Sequence, residues 1–139
     1  MTSIHNTIEK RFIELADHAL QLMKQQAEKM AIKGVGVVCL VPGSPPQSWI
    51  SKMVVAGASS NDGYNFIGIA YAKVAEMAET LQDCGISPRK VKVGEFDFIG
   101  GLIQPIAQGY LLVSFSGASG EEDLAVSQTA MAWLTSQFD

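Results

Sequence analysis

Charge is scarce in this chain. Ionised side chains make up 17% of its 139 residues, against about a quarter in an ordinary soluble domain. A small monomer needs a charged shell to stay dispersed, so this deficit predicts self-association, as a dimer or a larger assembly. An isolated subunit with an unusually neutral surface is the alternative. The net charge is −4 and the basic residues are scattered rather than striped. Phosphate backbones demand clustered Lys and Arg, so nucleic acid is not expected as a partner. No apolar run is long enough to span a bilayer, and a membrane partner is not expected either. The first residues do not set a charged segment before an apolar one, as a secretory signal does. The two cysteines, Cys39 and Cys84, lack metal-ligand spacing, and read as free thiols in a reducing compartment. A cytoplasmic location is therefore expected. With two histidines, His5 and His18, a zinc or iron cage made by one chain is not expected.

What is present reads as one domain over residues 1–139, of a size that can bury a core without staples. Between residues 8 and 33, Ile8, Phe12, Leu15, Ala19, Leu22, Met23 and Met30 recur at helical spacing, and Gly34 supplies a stop. Residues 35–41 form a short β-branched run, a strand covered on both faces. The prolines at 42, 45 and 46 end it, and residues 49–56 resume as a second strand. Asn61, Asp62 and Gly63 offer an N-cap cluster before a second helix over 64–84, with a core stripe of Ile67, Ala70, Val74, Met77 and Leu81. Its other side carries Gly68, Ala72 and Ala75, and such a helix is expected to be buried on both sides. Residues 91–96 alternate in character and predict a strand. Residues 103–107 and 110–115 predict a hairpin. Ser119 and Glu122 fit a capping box opening a last helix, which buries Leu124, Met131, Leu134 and Phe138 and leaves Val126, Ala130 and Trp133 opposite. A large aromatic on that side suggests an interface. Helices mixed with hairpins predict an α+β fold, an antiparallel sheet flanked by helices.

No residues stand out as an acid–base or nucleophile set. His18 flanks the first helix with Glu14 four residues earlier, which suits a surface ion pair, and a ligand or metal contact is the alternative. Glu121, Glu122 and Asp123 look like a cation site, but adjacent helical carboxylates diverge, and compensation of the helix dipole accounts for all three. Ser114, Ser116 and Ser119 surround Gly117 without the order of a nucleophile elbow. The same loop sets small residues and backbone amides at a helix start, where an anionic group could sit; the alternative is that they merely let the chain turn. Lys73 either pairs with a carboxylate or ligand, or snorkels out of a mostly apolar helix. Tyr64, Tyr71 and Tyr110 are candidate phenolate donors to iron, the methionines are core filling, and Asp97 precedes the Gly100-Gly101 turn.

Three segments carry a family resemblance. Ile69-Ala70-Tyr71-Ala72-Lys73-Val74-Ala75 looks like a central helix containing Ala and Lys, and Gly100-Gly101 followed by Pro105-Ile106 like a Gly-Gly-x-Pro-Ile turn with two extra residues. The segment from Val113 through Ser114, Phe115, Ser116, Gly117 and Ala118 to Asp123 looks like a Gly-Val-Ser-Gly-Ala signature with a following acidic helix start. In these the chain resembles the GlcG/HbpS-like proteins, which include haem-binding proteins and the C-terminal domain of a cobalamin adenosyltransferase. The resemblance implies a profilin-like α-β-α sandwich, assembly into dimers and rings or octamers, and ligand binding more than catalysis, with haem or another tetrapyrrole as the ligand class. It departs from the family at Val41-Pro42-Gly43-Ser44-Pro45-Pro46, where an Asp-x-x-Gly hairpin is usual. Lys73, Gly100, Gly101, Ser116 and Gly117 are the pocket candidates inside the matched segments, with His18 beside them from its own chemistry. Three readings stand at this point: a binding protein for a small cofactor-like molecule, a ligand-free assembly module, and an enzyme such as a haem degrader.

Overall fold

The computed structural model describes residues 4–138, with side chains described from residue 7 onward; the side chain of His5 lies outside the described residues. The elements run α1 (Ile4–Lys29), β1 (Gly34–Val41), β2 (Ile50–Ala56), α2 (Phe66–Thr80), β3 (Gly101–Ile106), β4 (Gly109–Ser116) and α3 (Gly120–Gln137). The strands form one antiparallel sheet in the order β2-β1-β4-β3. Two sequential hairpins are thus joined through their first and last strands, Val37 facing Ser114 and Val38 facing Val113.

The sheet is covered on both sides, as the β-branched run of β1 requires. Alternate residues divide it: Val38, Leu40, Leu111, Val113 and Phe115 pack under α1 and α3, while Val35, Val37, Cys39, Val41 and Leu112 pack under α2. The result is an α-β-α sandwich with two cores separated by one sheet. Gly36 fits its place because Met23 of α1 lies against it, and a Cβ there would sit 2.9 Å from that side chain. Among the described residues no helix is long and apolar enough to cross a membrane.

Several sequence expectations change. The strand predicted over 91–96 does not form. Val93 there is fully exposed, and the segment folds on itself through Arg89–Glu95 bonds of 2.8 and 2.9 Å and the Lys92 amide donating to Glu95 at 3.0 Å. Local polar bonds outcompete an alternation that has no partner strand. Helix α2 starts from Asn65, whose side chain accepts from the Gly68 amide; Asn61 instead closes the preceding turn, accepting from Gly63 and Tyr64. The helix ends earlier than expected, with Leu81 left-handed at φ 58°. Its buried face is Phe66, Ala70, Lys73, Val74, Glu76 and Met77, whereas Ile67 and Leu81 are exposed. The opposite side is not covered within the chain, since Gly68 and Ala75 are exposed.

Helix α3 has the expected capping box and buries Met131 and Leu134 as expected, with Phe138 packed beside them, but its core face is wider than that stripe. Val126 and Ala130 lie fully in the core and Leu124 only partly. Trp133 is not left facing outward: it packs beside the core and against His18 of α1, ring centres 4.3 Å apart.

Two-sided burial of β1 has a direct consequence. Val37→Ala on the α2 side and Val38→Ala on the α1/α3 side should each lower unfolding free energy by about 2 kcal/mol. Val55→Ala on the exposed part of β2 should cost under about 0.5 kcal/mol. Urea denaturation of the three variants checks this, and a cheap Val37 would contradict a core beneath α2.

Candidate functional site

At the end of β4 the two helical layers meet around the sheet. Lys73 of α2 and Asp123 of α3 lie on opposite sides of it, yet their side chains reach past the strand end and pair at 3.1 Å, both only 3% exposed as residues. The Lys73 ammonium also donates to the Phe115 carbonyl at 2.7 Å. The other carboxylate oxygen of Asp123 accepts from the Ala118 amide at 2.9 Å. Burial pushes the Asp123 carboxyl above its usual range, and the Lys73 charge and the Ala118 and Gly117 amides pull it back.

Gly100 makes this approach feasible. A Cβ at Gly100 would stand 2.5 Å from the Lys73 ammonium and 2.8 Å from Asp123 Cβ, at a φ of 135° that side chains rarely adopt. Its carbonyl is held by the Ser127 hydroxyl at 2.6 Å and the Phe115 amide at 3.2 Å. Gly117 similarly lets the chain pass the start of β1, where a Cβ would stand 2.0 Å from the Lys33 carbonyl.

Above the pair opens a cleft of about 500 Å³. Its apolar wall is Tyr64, Phe66, Ile69, Phe98 and Ile99, and its opposite edge is the Ser116–Gly120 turn. Lys73, Ser116 and Gly117 thus come together in its lining; Gly100 backs it through its contact with Lys73. Gly101 turns instead toward Met77 and Cys84. His18 stands apart, on the other helical layer against Trp133. Of the three tyrosines, Tyr64 lines the cleft, Tyr71 bonds to Ser51 at 3.4 Å, and Tyr110 lies by the β3–β4 turn.

Two site features escaped the sequence reading. Asp123 looked like dipole compensation, and it is the buried counter-ion of Lys73. Its place four residues before Ser127, on the side that α3 buries, is the available signal. Glu76 was not singled out at all. It is buried and its two oxygens accept from the Gly85 amide at 2.8 Å and the Asp97 amide at 3.2 Å, tying both ends of the irregular 85–97 segment to α2. Neither thiol is poised to react, since burial raises Cys39 far above its ordinary value and pushes Cys84 up to about 11.

No family model matches this chain, and no curated protein matches it. Solved structures do. The Ybr137w protein aligns with a TM-score of 0.58 at 17% identity, covering 96% of this chain and 87% of its own. A double mutant of HbpS from Streptomyces reticuli aligns at 0.51 and 19% identity, over 87% of this chain and 84% of that one. HbpS itself gives 0.50 and 18%, over 87% of each. The chain therefore shares the HbpS-like fold, and at such identities the likeness speaks for the fold alone.

Removing one partner of a buried pair strands the other charge. Asp123→Ala and Lys73→Ala should each cost about 3–5 kcal/mol, whereas the double change Lys73→Met with Asp123→Leu should cost clearly less than either. Denaturant titration of the four chains measures this; strictly additive losses would mean that the two side chains do not act as a pair.

Proposed function

We propose that this protein binds a small cofactor-like molecule in the cleft above the Lys73–Asp123 pair, and that binding rather than catalysis is its role. The observation that carries the reading is an open, aromatic-walled cleft beside a polar floor already satisfied within the chain. Such a floor supplies shape and rigidity, and the bonds of Lys73 run to Phe115 and Asp123 rather than into the cleft. A pocket of this size and lining suits a ligand with a flat apolar body.

Haem or another tetrapyrrole is the ligand class that the family resemblance implies. The aromatic wall suits a porphyrin ring. Of the side chains that ordinarily hold haem iron, the cleft lining contains only a phenol, at Tyr64. Tyr64 would therefore hold the iron, with Phe66 and Phe98 against the ring. Bound haem would supply a metal centre for small-ligand or electron chemistry.

Titration with haem, followed at the Soret band, should give a saturable shift near one haem per chain. Tyr64→Phe should weaken it and alter the band position. Unsaturable drift, equal to that of an unrelated acidic protein, would remove haem as the ligand.

Self-association is the second reading, favoured by the exposed apolar side chains of Ile86, Val93, Phe96 and Phe98 along one irregular segment. Sedimentation should give a mass above that of one chain, lowered by Phe96→Asp; a monomeric wild type would end this reading.

A further inference from the structure

The charges around the cleft do not cancel. Lys73, Asp97 and Asp123 are its charged lining residues, one cation against two carboxylates. Lys73 and Asp123 neutralise each other within the fold, and at the start of α3 the amides of Ala118, Ser119 and Glu122 donate to Asp123, Glu122 and the Ser119 hydroxyl, respectively. Asp97 is different. Its carboxylate has no hydrogen-bond or ion-pair partner among the described residues, and the residue lines the cleft at its exposed rim.

The chain also holds Asp97 there deliberately. Its φ of 58° places it in the left-handed region, which Asp and Asn tolerate better than most residues but which still needs support. The support is its amide bond to buried Glu76. On either side of it stand Phe96 and Phe98, with near-parallel rings 5.5 Å apart. Phe98 and Tyr64 line both the cleft and the groove that continues past Phe96. A lone carboxylate and aromatic side chains in one cleft lining are the combination that attracts organic cations, through ring quadrupoles and a direct counter-charge together.

We propose that the cleft selects a ligand whose inner group is an organic cation, an alkylammonium or protonated amine, with Asp97 as its counter-ion and Phe98 and Tyr64 as its aromatic walls. The proposal rests on the cleft being the ligand site and does not require that the ligand be haem. An anionic group at this end would meet Asp97 as a like charge.

The test uses the intact, 15N-labelled chain and three probes of one shape: benzyltrimethylammonium, its neutral isostere with carbon in place of nitrogen, and an aromatic carboxylate of similar size. The ammonium probe should shift the amides of Phe98, Ile99 and Gly117 saturably, and should bind more tightly than the other two. Asp97→Asn, which keeps the size and the left-handed tolerance, should weaken the cation about fivefold and leave the neutral probe unchanged. Phe98→Leu should weaken the cation more than the neutral probe. If the carboxylate binds as well as the cation, or Asp97→Asn changes nothing, the charge preference is wrong while the cleft remains a ligand site. If no probe moves the cleft amides, the proposal falls, and the haem titration then decides the binding reading by itself.

Discussion

The Lys73–Asp123 pair is the constraint on which this end of the molecule depends. A sheet covered on both faces has two cores that do not touch, and here a side chain from each layer must reach around the strand end to meet its partner. Two charges buried to this degree are costly unless every polar atom finds a partner. The neighbourhood is arranged to provide them: the Phe115 carbonyl for the ammonium, the Ala118 amide for the carboxylate, and a glycine at 100 because any larger residue would part the ions. The position of the 116–120 turn follows from these bonds, and so does the edge of the cleft.

The cleft exists because α2 and the segment after it stay apart from that turn. Glu76 sets the separation. By accepting from Gly85 and Asp97 it draws an irregular loop against α2 without forming a strand; the bond of Arg89 with Glu95 closes the loop on itself, and that of Lys92 with Glu79 ties it to α2 again. The pairing with Arg89 and with Lys92, respectively, holds the Glu95 and Glu79 carboxyls below their usual range. The exposed Lys92–Glu79 pair shapes the loop more than it stabilises it, while the Arg89–Glu95 pair is half-buried. The buried Glu76 is what fixes where Asp97, Phe98 and Ile99 stand.

How much of this could be read in the sequence depends on how local the signal was. Helical spacing marked α1, a β-branched run marked β1, apolar runs on either side of a turn marked β3 and β4, and the Ser119–Glu122 box marked the start of α3, since each signal is local. The antiparallel α+β arrangement followed from their order. What failed were inferences needing a partner. Val91 and Val93 alternate as a strand does, but no strand stands beside them, and the bonds of Arg89 and Lys92 win. For Lys73 the sequence leaves pairing with a carboxylate and snorkelling both open, because a charge in an apolar stripe is recognisable as paired only with its counter-ion, fifty positions away. Spacing alone marks too narrow a face on α3 for the same reason: Met131 and Leu134 are buried as expected, but with Asp123 and Ser127 bonded inward, Val126 and Ala130 join them in the core and Trp133 packs against His18.

The same dependence explains why the pocket candidates came through unevenly. Lys73, Ser116 and Gly117 sit at the strand end where the layers meet, so they share one cleft wall. Gly101 is one residue too far along: the strand pleat turns it toward Met77 and Cys84. A glycine pair thus divides its labour, Gly100 admitting the ion pair and Gly101 admitting the α2 core. Asp97, at the exposed rim of the same cleft, is the lining carboxylate with no partner among the described residues. With Lys73, Asp123 and Glu76 bonded within the chain, Asp97 is the lining carboxylate that the proposed cation would meet.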